Sequence, residues 1–172
     1  MSTTTNPPKI YVACLAAYNN GILHGSWIDA SQGTEAIHPE IQNMLAESPI
    51  PHSEEWAIHD YEGFGEIRLS EYEDIQKVAE LAEMIEQHGH AYIAYVQYAG
   101  MEDASDEDFQ DKYAGEWDSE EDFAMDLADE TMNIPEHILP YFDNEKFAHD
   151  LFINDYYSVE SKDYKVHVFR RY

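Results

Sequence analysis

The sequence carries nine histidines, one cysteine and 36 aspartates and glutamates. From such side chains proteins build metal sites, acid–base pairs and nucleophiles, but their spacing here sets up little of that chemistry. His88 and His90 stand two apart, too close for one face of a helix. On a strand they would share a face, yet no cysteine or second histidine pair completes a zinc set. Calcium loops begun at Asp103, Asp106 or Asp118 place Asp108, Asp111 or Phe123 at the sixth position, where the turn of an EF-hand needs glycine. The same frames place Ala114, Trp117 or Asp129 at the twelfth, where a bidentate glutamate belongs. No GxxxxGK[ST], GxGxxG, GxSxG or HExxH occurs. Carboxylate pairs for acid–base work are so abundant that chance accounts for any one of them. His59, next to Asp60 and close to Trp56, reads as a satisfied core histidine in a buried polar cluster rather than a general base. Cys14 reads as a small core residue. The expectation is a chain with no catalytic residue, no metal and no cofactor.

The elements that hold these side chains are legible in part. Residues 9–17 are short, apolar and rich in branched and aromatic side chains, and so read as a strand. Asn19-Asn20-Gly21 supplies a turn, and 22–30 reads as the returning strand. Ile37, Ile41, Met44 and Leu45 recur at helical spacing within 35–47, before Pro49 and Pro51 interrupt. A third strand fits 56–61. Ser70 with Glu73 forms a capping box for a helix over 70–88, whose apolar stripe is Ile75, Val78, Ala79, Ala82 and Ile85 and whose end is Gly89. Residues 90–99 fit helix or strand, and helix is preferred. A short helix follows at 105–112. Ser119 caps another over 119–131, with Glu120, Glu121 and Asp122 in its first turn. Short helices are expected at 135–141 and 144–151, and a hairpin from 156–160 and 165–171. This is an α+β fold: a three-stranded sheet with one helix at 1–65, a helical middle at 66–111 and an α+β segment at 112–172.

Charge is the outstanding feature. Nine Lys and Arg oppose the 36 acids, a formal net of −27. No basic residue lies between Lys9 and Arg68, between Lys77 and Lys112, or between Lys112 and Lys146, while four of the nine fall in the last eleven positions. Most acids therefore have no local partner. Such a surface repels nucleic acid and anionic membranes and attracts basic proteins. The single cysteine excludes an internal disulfide and fits a reducing cytoplasm. No signal peptide and no span long enough for a bilayer is expected.

The acids are densest in 102–130, fourteen in 29 residues. They are Glu102, Asp103, Asp106, Glu107, Asp108, Asp111, Glu116, Asp118, Glu120, Glu121, Asp122, Asp126, Asp129 and Glu130. Glu73, Asp74, Glu80, Glu83 and Glu86 add a second group on the 70–88 helix. Were 102–130 wholly helical it would span about 43 Å, or roughly one charge per 3 Å. Duplex DNA carries one per about 1.7 Å of axis. Like charges four residues apart on a helix cost roughly 0.2–0.5 kcal/mol each, and solubility needs a net charge of only about 2–8. Competition with phosphates for a basic protein groove gives these carboxylates a use. Three other classes fit less well: an acidic module for another basic DNA-binding protein, a carboxylate or metal hydrolase, and simple salt adaptation.

Particular segments sharpen this reading. KIYVACLAAYNNG at 9–21 with GSWIDA at 25–30 resembles the opening of the ArdA antirestriction proteins. EWAIHDYEGF at 55–64 is similar to that family's most recognisable segment, and LPYFDNEKFAHDLFINDYYSVE at 139–160 to its closing region. Residues 66–135 resemble the family mainly in acidity and helical character. The resemblance implies an elongated chain of three small domains, and a homodimer joined through the C-terminal one. Its acidic surface would mimic bent B-form DNA, and the nineteen acids named above are its phosphate-mimicking candidates. The implied partner is the DNA-binding methyltransferase core of type I restriction–modification enzymes, with no direct nucleic-acid binding. The family travels on mobile genetic elements and brings no catalytic residues to carry over.

Overall fold

Three strands, β1 (Lys9–Cys14), β2 (Gly25–Asp29) and β3 (Trp56–Glu62), form an antiparallel sheet in the order β2-β1-β3. The computed structural model describes residues 6–172. The chain is α+β, with two small antiparallel sheets, and divides into two compact units, 1–93 and 94–172.

In the first unit β1 is central, and Ile10, Val12 and Cys14 are fully buried, as a strand paired on both sides and covered on one face requires. Cys14 Sγ lies 3.3 Å from Ser48 Oγ, so the cysteine is the small core residue its surroundings suggested. The strand is shorter than expected. At Leu15 the chain enters a helical turn, α1 (Leu15–Asn19), which buries Ala17 and is closed by Asn20 Nδ2 donating to the Ala16 carbonyl at 2.7 Å. Leu-Ala-Ala is a good helix former, and this outweighs the strand pattern once β1's pairing ends. Gly21 takes the positive φ (76°) of the following turn.

On the return, only Gly25–Asp29 pairs; Asp29 then caps a 3-10 turn at Ala30–Gln32 by accepting from Ser31 N at 2.9 Å. Helix α2 (Thr34–Ala46) buries the expected Ile37, Ile41, Met44 and Leu45. The reading of His59 is corrected. It and Asp60 are exposed, and His59 meets Tyr18 edge-on at 4.8 Å. Between Ile58 and Asp60 the β1–β3 register shifts, two steps on β3 facing the single step from Val12 to Tyr11. A bulge re-aims the side chain, and strict alternation could not foresee it.

Helix α3 (Ile75–His88) starts five residues later than the capping box suggested. Its cap is Asp74, which accepts from Gln76 N at 2.8 Å. Ser70 N does donate to Glu73 Oε2 (3.1 Å), but this closes a turn ahead of the helix. The stripe Ile75, Val78, Ala79, Ala82 and Ile85 is buried, with Leu81. Helix α4 (His90–Ala99) follows directly, and the unit boundary falls within it. Residues 91–96 are all buried; a helix apolar all round has no stripe, hence its ambiguity in sequence.

The second unit contains α5 (Asp106–Lys112), β4 (Tyr113–Trp117), α6 (Glu120–Thr131), α7 (Asn144–Asn154), β5 (Tyr156–Glu160) and β6 (Val166–Arg170), with sheet order β4-β6-β5. The expected hairpin of β5 and β6 forms. Strand β4 was not foreseen. Its YAGEW sequence is short and centred on Gly115 (φ 105°), beside a register shift between Tyr113 and Glu116, and glycine blurs strand periodicity. The helix expected at 135–141 is only a 3-10 turn, Leu139–Tyr141.

Phe123 and Ala124 of α6 pack with Ala148, Leu151 and Phe152 of α7 and Val168 of β6. A second cluster joins Tyr95, Phe109, Tyr113, Tyr157 and Phe169 through ring contacts of 5.0–6.1 Å. Arg171 ties the end of the chain down, donating from Nε to the Tyr156 carbonyl and from Nη2 to that of Phe152, each at 2.9 Å.

Candidate acidic interface

The candidate acids divide between the two units. Glu73, Asp74, Glu80, Glu83 and Glu86 lie before and along α3 in the first, and the other fourteen lie in the second. Nearly all face water; only Glu73, Asp106 and Asp108 are half-buried. Exposure alone does not separate a working carboxylate from an idle one, so local commitments decide.

Helix α6 is the plainest case. Ser119 Oγ accepts from Asp122 N at 3.1 Å, capping the helix, and Glu120, Glu121 and Asp122 sit where the helix dipole favours negative charge. Phe123, Ala124 and Ala128 face the core. Asp122, Asp126, Asp129 and Glu130, at i, i+4, i+7 and i+8, form one exposed stripe opposite them. Asp129 and Glu130 fall in the last turn, where the dipole disfavours them and no basic residue stands. Among the described residues no cation lies within ion-pair distance of Glu121, Asp126, Asp129 or Glu130. Six acids over a helix of about 18 Å give roughly one charge per 3 Å.

Other acids are engaged within their own units. Asp108 of α5 accepts from the buried Tyr95 hydroxyl at 2.6 Å and pairs with Lys112 at 3.0 Å. The Tyr95 hydrogen bond and, secondarily, Lys112 hold its carboxyl below the usual range against the opposing effect of burial. Lys165 stands 3.6 Å from Glu116 and 3.9 Å from Asp118. Glu116 also faces His167 of β6, whose Nδ1 lies 3.1 Å from the Tyr113 hydroxyl. Burial, with Glu116 adding to it, pushes Tyr113 up to about 12. Glu120 accepts from Ser158 at 2.6 Å, Gln76 donates to Glu80 at 3.0 Å, and Gln110 donates to Asp106 at 2.7 Å.

Local density in sequence overlooked Glu35 and Glu40 on α2 and Glu145 and Asp150 on α7, all equally exposed. Their places on the polar faces of those helices were the available signal. No group of three or more His, Cys, Asp and Glu suited to a metal occurs among the described residues, and no helix there is long and apolar enough to cross a membrane.

The model of the ArdA family, described as antirestriction protein, matches residues 10–166. Among the curated proteins, none matches the sequence. The family match runs from Ile10 in β1 to Val166, the first residue of β6, and so takes in every acid considered above. The chain belongs to the ArdA antirestriction protein family.

Proposed function

We propose that the protein mimics B-form DNA and occupies the DNA-binding groove of the methyltransferase core of type I restriction–modification enzymes. Family membership implies antirestriction and interaction with restriction–modification enzymes; the mimicry and the type I target are the finer reading. The observation that carries it is the α6 stripe, Asp122, Asp126, Asp129 and Glu130, exposed on a helix that places acids even at its unfavourable end. Charge kept where it weakens its own helix serves a partner. Such a surface sheds its own counterions on entering a basic groove, as phosphates do. The interface draws on the nineteen candidate acids, with Asp108, Glu116 and Asp118 contributing less because each has a cation close by.

Competition tests this reading. Purified protein should displace labelled duplex from a type I methyltransferase core, and retention of DNA at saturating protein would contradict it. The reading also includes a homodimer joined through 112–172 and a division into 1–65, 66–111 and 112–172. A solution mass twice the 19.9 kDa of one chain and proteolytic nicks near residues 65 and 111 are expected. A monomeric mass, or a single nick near 93, would count against these two points.

A further inference from the structure

In the first unit the start of α2, the start of β3 and the entry to α3 surround a cavity of about 360 Å³. Its walls include Thr34 and His38 of α2, Trp56 of β3, and Tyr72, Glu73 and Asp74 ahead of α3. The entry segment is anchored along the outer edge of β3, where Ile58 N donates to the Glu71 carbonyl at 2.9 Å. Trp56 is half-buried and fixed by the strand, while Tyr72 is 72% exposed. A large exposed tyrosine beside a half-covered tryptophan leaves aromatic faces with little to stack on. Both carboxylates are held in place, Glu73 by Ser70 N at 3.1 Å and Asp74 by Gln76 N at 2.8 Å. Neither has an ion-pair partner among the described residues, and no lysine or arginine lines the cavity.

We infer that this cavity receives an arginine side chain of the basic partner, its guanidinium against the Trp56 and Tyr72 rings and facing the Glu73 and Asp74 carboxylates. The inference rests on the proposed function for its partner and deepens it. Charge complementarity favours a cation over any other occupant. The aromatic walls favour arginine over lysine, because the guanidinium is planar, weakly hydrated and stacks on rings. The cavity lies at the small end of ligand-binding clefts, about 300–1,000 Å³, ample for one long side chain. It differs in kind from the α6 stripe: an acidic surface competes for a groove by charge alone, whereas a pocket engages one side chain and adds discrimination among basic partners.

Two measurements decide it. In the first, the full-length protein is titrated at constant ionic strength with N-acetyl-arginine amide to about 30 mM, a weak-binding range suited to a single cation–π contact. The Trp56 indole NMR signal, assigned by its loss in Trp56→Phe, and the amides of Ile75 and Gln76 should shift. The neutral citrulline analogue should leave them in place. Equal shifts with both compounds, no shift with either, or a shift with inorganic phosphate instead would overturn the inference. In the second, Tyr72→Ala should weaken the complex with the methyltransferase core about two- to thirtyfold without changing its salt dependence, and Tyr72→Phe should restore it. An unchanged affinity in Tyr72→Ala would overturn the inference. If wild-type protein does not bind the core at all, the proposed function fails, while the arginine titration still decides the cavity.

Discussion

Helices α5 and α6 are both acidic, both capped by serine and both part of the same unit, yet they handle charge in opposite ways. In α5 the acids Asp106, Glu107 and Asp108 occupy the first turn and Lys112 the last, the arrangement a helix dipole favours, and Asp108 bonds to Lys112 and Tyr95. In α6 the first turn is equally acidic, but the last turn carries Asp129 and Glu130 with no base. Apart from Asp111, which shares the last turn with Lys112, the charges of α5 are explained by the stability of its own fold. Those at the end of α6 are not. Composition treats the two segments alike; position along the helix and the identity of the partner separate them.

The largest expected effect breaks this contrast at α6. Replacing Glu121, Asp126, Asp129 and Glu130 together by their amides should lower affinity for the type I core about six-hundredfold. That figure follows from four counterion-releasing contacts of roughly fivefold each at physiological salt. Thermal stability should hold or rise slightly, since like-charge pairs worth about 0.2–0.5 kcal/mol each are relieved. Calorimetry beside a binding assay checks both. A large loss of stability would make these four acids structural after all.

Asp108→Ala is the mirror experiment. It should cost about 1–2 kcal/mol of stability through the lost charged hydrogen bond to Tyr95 and change inhibition little. Because the folded carboxyl titrates below its ordinary value, its contribution is present above about pH 4 and is lost as pH falls through the folded value. The stability gap between wild type and variant, followed by denaturant titration, should therefore narrow in acid. A gap that widened would reverse the assignment.

Smaller effects sharpen the picture. Asp126→Asn alone should weaken binding about fivefold; abolished binding would mean a discrete site rather than distributed charge. Ser119→Ala should cost about 1 kcal/mol by removing the α6 cap. Lys165→Gln should change stability by less than about 1 kcal/mol, since its pairs with Glu116 and Asp118 are exposed. It should also raise affinity modestly by freeing those two acids, measurable in the same competition assay.

Much of this was readable from residues. The α2 and α3 stripes, the Ser119 cap and the β5–β6 hairpin follow from periodicity and capping chemistry, which act within a few residues. What escaped depends on distant partners. Strand β4 exists because β6 pairs with it across some fifty residues, the bulge at His59 because β1 imposes a register, and the role of Asp108 because Tyr95 reaches it. The acids of the candidate interface were legible as a population, through net charge and local density. Which of them are committed internally was not, because an ion pair such as Lys165–Glu116 joins residues that sequence alone does not bring together.

The most direct test of carboxylates standing in for phosphates is the salt dependence of the complex with the methyltransferase core. Plotted as log affinity against log salt, wild type should fall steeply, and the four-amide α6 variant should have a slope shallower by about 3.6, or roughly 0.9 per contact removed. Parallel slopes for the two proteins would contradict the account.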